Sequence, residues 1–242
     1  MSTPLTSTQT ARSAIFSALS RSPAGAVPKP PPNLQSYRSG PYGQGSTGPR
    51  PDPAMLIPQF VKAATGWRAD VLQATTANWP QAVQQALVQR GCMRVVVGAH
   101  SDLQPDLDAA LAGLQVRVFD QPLENWKHTL FADMQASVTS TLAGVADTGT
   151  LVLRPGPGEP RTLSLVPPVH VAVLRASRMY ASLPAAMAGL QLAADMPSNL
   201  LLVSGPSKTA DIQQVLAYGA HGPKELIIVL IDDLSAATEH AA

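Results

Sequence analysis

Residues equipped for chemistry concentrate at 199–219, NLLLVSGPSKTADIQQVLAYG. The apolar run 199–203 predicts a buried strand, and Ser204, Gly205, Pro206 and Ser207 predict a turn into a helix over 208–218. The opening turn of a helix presents unpaired N–H groups and a positive dipole end, so such a junction favours anions. Gly205 lets backbone approach closely. The hydroxyls of Ser204, Ser207 and Thr209 with the Lys208 ammonium would complete a carboxylate or phosphate cradle, with Asp211 as a polar contact. A plainer use competes: Ser207 caps the helix, Lys208 is solvated and Asp211 complements the dipole. Ser207-Lys208-Thr209 imitates the end of a Walker A loop, but Ser replaces the required Gly and the earlier Gly is absent.

His221 follows in the turn His221-Gly222-Pro223-Lys224 and is the candidate catalytic residue, although a lone histidine is more often structural. His170 sits in the apolar stretch PPVHVAVL and reads as a core histidine. His100 and Asp102 follow a strand candidate and could reach the same sheet edge, a position that turn chemistry explains equally well. Asp147, Thr148, Gly149 and Thr150 precede another strand and form a second polar cluster, for which a turn is the simple explanation. No metal-ligand spacing, nucleophile elbow or dinucleotide fingerprint occurs.

The elements that must position these residues come from the apolar pattern. Helices are predicted at 54–64, from the Asn78 cap to 89, at 105–112, 123–134, 184–194 and 208–218. Strands are predicted at 70–74, 93–98, 116–119, 136–141, 149–154, 162–165, 169–174, 199–204 and 225–231, with a hairpin-type loop at 155–160. Short apolar strands alternating with helices imply right-handed βαβ units and a parallel sheet. The strand-rich stretch 136–174 adds a mixed sheet or a small antiparallel insert. The fold class is therefore α/β: a mixed, mostly parallel sheet flanked by helices.

Three regions follow. Residues 1–21 predict an amphipathic helix near 9–19, with Ile15, Phe16 and Leu19 on one face. No Asp or Glu precedes Asp52 and Ser and Thr abound, which is also the composition of an organellar transit peptide. The helix is the preferred reading, since only Arg12 and Arg21 supply positive charge there. Residues 22–53 hold nine Pro and five Gly in thirty-two positions and predict an extended tether. Residues 54–242 form the α/β domain.

The 242 residues carry 17 basic and 16 acidic side chains, a net charge of +1 that lacks the field for nucleic acid or an anionic membrane. The longest apolar runs are strand-length, which argues against a membrane span. Cys92 is the single cysteine, so this chain alone builds neither an intrachain disulfide nor a cysteine-held iron–sulfur cluster.

SGPSKTADI at 204–212 and GAHGPKEL at 219–226 resemble the paired C-terminal motifs of the LUD domain, and ADTGTLVL at 146–153 and PPVHVAVL at 167–174 resemble its central motif and following strand. The length and the lack of cysteine clusters are similar to the lactate utilization protein C (LutC/YkgG) type. The resemblance implies a fold like the NagB/RpiA/CoA-transferase group. It also implies a cytoplasmic, non-redox role in oxidising L-lactate to pyruvate, with iron–sulfur clusters held by partner proteins and none in this chain. Homo-oligomerisation stays open, as does whether the chain is itself an enzyme. A stand-alone enzyme for a sugar phosphate or acyl-CoA ester, using the cradle and His221, is the alternative that fold analogy suggests.

Overall fold

The runs RVVVG, VHVAVLR and ELIIVLID are largely apolar, the pattern of strands covered on both faces, and ASVTS is mostly buried with them although Ser137, Thr139 and Ser140 are polar. In the computed structural model, residues 13–17, 51–99, 103–192, 197–210, 216–219 and 221–234 are described. In chain order the elements are α1 (Pro53–Gly66), β1 (Asp70–Thr75), α2 (Trp79–Gln89), β2 (Arg94–Gly98), α3 (Gln104–Ala110), β3 (Gln115–Phe119), α4 (Lys127–Ala132), β4 (Ala136–Ser140), β5 (Ala143–Val145) and β6 (Thr150–Leu153). There follow α5 (Arg161–Leu165), β7 (Val169–Arg175), β8 (Met179–Tyr180), α6 (Leu183–Gly189), β9 (Leu201–Val203), β10 (Lys208–Ala210), β11 (Leu216–Tyr218) and β12 (Glu225–Asp232).

Six strands form a sheet in the order β1-β12-β7-β4-β2-β3, every pairing parallel. A four-stranded mixed sheet, β8-β5-β6-β9, accompanies it, and β10 pairs with β11 as an antiparallel ribbon. The α/β class and the strand insert are thus as expected from the sequence. The chain moves outward from β2 to β3, then returns past β2 to β4. In an open parallel sheet such a reversal opens a crevice at the carboxyl ends of the strands.

Among the described residues, alternation along the parallel strands separates the two largest of four core clusters onto opposite faces. Trp79, Val83 and Leu87 of α2 and Leu107 of α3 pack on Val95, Val97, Val138, Val171, Val173, Ile227 and Val229. On the other face, Leu56, Phe60 and Ala64 repeat every fourth residue along α1 and cover Ala172, Leu174, Ile228 and Leu230 together with Leu151 and Leu153 of the second sheet. Each large side chain taken fully out of water contributes roughly 1.5–3 kcal/mol. Asp52 caps α1 by accepting from the Ala54 N–H at 3.0 Å, and Pro53 sits in the first turn, where a missing N–H is harmless. Among the described residues no helix is long and apolar enough to cross a membrane.

Several expectations are corrected. The expected helix over 208–218 is corrected at both ends, where Lys208–Ala210 and Leu216–Tyr218 are paired strands, residues 211–215 lie outside the described ones, and the Ser207 backbone is engaged on both sides. Its N–H donates to Pro223 O at 2.9 Å and its carbonyl accepts from Gly219 N at 3.0 Å. Those tertiary bonds override a local helical spacing. Residues 162–165 lie in helix α5, because a period-two pattern over four residues does not decide between states. The 155–160 loop leads from β6 into α5 and closes no hairpin. The strand over 199–204 shortens to β9, a half-exposed edge of the second sheet and antiparallel to β6. The helix over 123–134 is divided by Trp126, at φ −145°, into a 3-10 turn and α4. The helix over 184–194 ends at Gly189. Residues 13–17 are helical and exposed; the rest of the N-terminal helix and almost all of the tether lie outside the described residues.

Candidate functional site

The structure brings the two polar segments together on the end of α1. Thr150 Oγ1 donates to Thr148 Oγ1 at 2.8 Å and lies 2.7 Å from Ser204 Oγ. Trp67 Nε1 donates to the Thr148 carbonyl at 3.1 Å. Two glycines permit this. Gly149 has φ +63°, and a Cβ there would lie 2.6 Å from Ala63 C and 2.7 Å from Ala64 Cα. Gly205 has φ +88°, and its Cβ would lie 2.9 Å from Trp67 Cβ. Positive φ is accessible to glycine without a steric penalty, so both segments can lie flat on helix backbone.

Of the hydroxyls expected in the cradle, that of Ser204 is therefore engaged with Thr150 of the central segment. Ser207 packs instead against Gly222, whose Cβ would meet Ser207 Cβ at 3.1 Å. Lys208 and His221 are exposed. Asp147 is open to solvent, yet partial desolvation raises its carboxyl above the ordinary range against the opposing hydrogen bonds of Thr148. Asp211, His100, Asp102 and the Thr209 side chain lie outside the described residues. Because Lys208–Ala210 is a strand, no helix start follows Ser207, and the dipole argument for anion binding at Ser204, Ser207 and Lys208 lapses.

These segments also lie by the amino ends of the parallel strands, since Lys224 precedes β12 directly. Here Arg90 donates to Asp70 Oδ2 at 2.6 Å and to Glu225 Oε2 at 2.8 Å, tying β1 to β12. A shallow cleft of about 210 Å³ beside it is lined by Arg68, Pro206 and Lys224 among others.

The carboxyl ends are built differently. The 155–160 loop folds over the end of β2: a Cβ on Gly98 would lie 2.6 Å from Gly158 O. It delivers Glu159 to the end of β4, where the carboxylate accepts from Ser140 N at 3.1 and 3.2 Å and from Ser140 Oγ at 2.5 Å. The loop occupies the crevice at the reversal of strand order and leaves space on either side. A cleft of about 450 Å³ lies toward β3, lined by Phe119, Asp120, Pro122, Pro157 and Gly158 among others. A smaller pocket of about 130 Å³ lies toward β7, lined by Leu103, Ser140, Thr141, Val173, Arg175 and Arg178 among others. None of Ser140, Glu159, Arg175 or Arg178 stood out in the sequence. The Pro/Gly loop was the available signal, and it pointed only to a turn.

His170 is fully buried on β7, as its apolar flanks suggested. Its Nε2 lies 2.8 Å from Thr139 Oγ1, its Nδ1 has no partner among the described residues, and burial lowers its pKa to about 4. It is a neutral core histidine at neutral pH.

A parallel α/β sheet carrying a second small mixed sheet, with two glycine-hinged polar segments fastened to the end of one helix, defines the class of protein. A sequence profile of the LUD domain matches residues 57–231, and the chain belongs to that family. It is 38% identical over 178 residues to an uncharacterised protein of Neisseria meningitidis, covering 72% of this chain and 76% of that one. It is 28% identical over 189 residues to lactate utilization protein C of Halalkalibacterium halodurans, covering 74% and 80% respectively. The crystal structure of a DUF162 family protein from Deinococcus radiodurans superposes with a TM-score of 0.58 at 21% identity, over 74% of this chain and 98% of that one. At that identity the likeness establishes the fold alone.

Proposed function

We propose that this chain is a non-redox member of a cytoplasmic system that oxidises L-lactate to pyruvate, acting beside iron–sulfur partner proteins. The observation that carries this reading is membership of the LUD family with relatives named lactate utilization protein C. The chemistry of the chain supports it. A single cysteine cannot supply the set of thiolates that holds a cluster, so clusters in such a system belong to other chains. Cys92 is also buried, and desolvation, reinforced by Glu225, raises its thiol and disfavours the ligating thiolate. The near-neutral chain suits docking to proteins rather than to polyanions.

Deletion of the gene, growth on L-lactate as sole carbon source and complementation with the full chain test the role. Loss of growth restored by the gene, with iron–sulfur proteins co-purifying on the tagged chain, is the expected result. Unimpaired growth on lactate, or turnover of a sugar phosphate or CoA ester by the isolated chain, would overturn it.

A further inference from the structure

The pocket of about 130 Å³ at the carboxyl ends of β4 and β7 combines an unusual set of groups. Arg175 is half-buried where β7 ends, and Arg178 is exposed three residues on. Among the described residues neither guanidinium takes part in an ion pair, and no carboxylate lines the pocket. Two uncompensated guanidiniums beside one small concavity favour an anion, and the planar fork of arginine suits a carboxylate.

The hydroxyls fix the rest of the ligand. Thr141 Oγ1 donates its proton to Val173 O at 2.9 Å. Ser140 Oγ donates to Glu159 at 2.5 Å, and the Ser140 N–H is taken by the same carboxylate. Both hydroxyl protons and the adjacent amide are therefore committed. What Ser140 and Thr141 still offer is acceptor lone pairs. A ligand that satisfies them must bring an O–H donor of its own. Leu103 and Val173 supply an apolar wall for a short alkyl group. At ~30 Å³ per water the space equals about four waters, room for a ligand of roughly half a dozen heavy atoms.

We infer that this pocket binds a short 2-hydroxycarboxylate, its carboxylate on Arg175 and Arg178 and its hydroxyl donating to Ser140 or Thr141, in preference to the corresponding 2-oxo acid. The identity of the acid rests on the lactate reading above; the requirement for a carboxylate and a hydroxyl donor rests on the pocket. A 2-oxo acid keeps the anionic contact but has no proton to give. The lost hydrogen bond corresponds to about fivefold weaker binding.

Titration calorimetry on the full chain with L-lactate, pyruvate, acetate and inorganic phosphate tests this, with thermal melts to verify folding. L-Lactate should bind about fivefold tighter than pyruvate. Arg178→Gln, which spares the fold because the side chain is exposed, should weaken lactate about tenfold or more, as should Arg175→Gln. Thr141→Val should bring lactate down toward pyruvate while leaving pyruvate unchanged. Lys208→Gln should change nothing. Equal affinity for lactate and pyruvate, preference for phosphate, insensitivity to both arginine variants, or loss of binding in Lys208→Gln each overturns the site. Failure of all four probes overturns it too, while a lactate growth defect would leave the role standing. Binding as expected without any growth defect would overturn the role alone.

Discussion

Gly149 offers a direct test of how the central polar segment is held. Substitution by alanine meets two separate obstacles. The first is conformational: at φ +63° an L-residue is in the left-handed region, which costs about 1–2 kcal/mol. The second is steric: the new methyl would sit 2.6 Å from Ala63 C and 2.7 Å from Ala64 Cα, contacts with helix backbone that no side-chain rotation relieves. Overpacking of this kind costs typically about 1–3 kcal/mol. Together they give a loss of about 3 kcal/mol, or ~6–12 °C in melting temperature at ~2–4 °C per kcal/mol for a domain of this size.

Two other glycines separate the contributions. Gly91 has φ +66° with nothing among the described residues within 4 Å of its notional Cβ, so Gly91→Ala should show the conformational part alone. Gly156 carries no positive φ and also has nothing within 4 Å among the described residues, so Gly156→Ala should fall within about 0.5 kcal/mol of the parent. Thermal and urea unfolding followed by far-ultraviolet circular dichroism gives all three values. If Gly149→Ala unfolds no more readily than Gly91→Ala, the segment does not lie on α1 as described and the reasoning is wrong.

Three more outcomes follow from single residues. His170 has a folded pKa of about 4 against an ordinary 6.5, so the unfolded chain binds the extra proton between those values. Its contribution to stability is therefore complete above pH 6.5 and is lost as pH falls toward 4, by about 2 kcal/mol between pH 7 and pH 5. Urea titrations at the two pH values should show that loss in the parent and a much flatter dependence in His170→Gln. Arg90 bridges two half-exposed carboxylates, so Arg90→Ala should cost only about 1 kcal/mol, and a double-mutant cycle with Glu225→Ala should give about 0.5 kcal/mol that shrinks in high salt; a coupling unaffected by salt would contradict an exposed ion pair. Cys92 is buried with a raised thiol, so a chromogenic disulfide reagent should modify it only as the chain unfolds; rapid stoichiometric reaction of the folded chain would refute its burial.

The parallel core was legible because strands buried on both faces announce themselves as apolar runs, as RVVVG and ELIIVLID do. Residues 208–218 were misread for the opposite reason. Ile212, Val215 and Leu216 are spaced as a helix requires, but partners distant in sequence claim the backbone of Ser207, and spacing does not report them. The second sheet was legible as an insert, though not in membership, because β9 joins β6 from nearly fifty residues downstream. The carboxyl-edge residues were illegible for a geometric reason. Ser140 and Glu159 are 19 positions apart and meet only because the 155–160 loop crosses the end of β2 on its way to α5. Strand order decides that meeting, and strand order is not written in local pattern.

The two edges of the parallel sheet divide the work between holding and binding. At the amino edge a set of polar groups is tied inward: Gln135 Oε1 accepts from Met93 N and Arg94 N, Pro168 O accepts from Lys224 N and Glu225 N, and Arg90 closes β1 on β12. The signature segment at 204–226 joins this edge through Ser207 and Pro223, so substitutions there should register first as lost stability. At the carboxyl edge the hydroxyl protons are spent inward, on Val173 and Glu159, and the guanidiniums of Arg175 and Arg178 stay without ion-pair partners among the described residues. Positive charge left unneutralised beside a pocket is stabilised by an incoming anion and contributes little to folding. Arg178→Gln should therefore leave the melting temperature in place while altering ligand affinity, the reverse of Gly149→Ala. A melting temperature that fell in Arg178→Gln and held in Gly149→Ala would exchange the roles of the two edges.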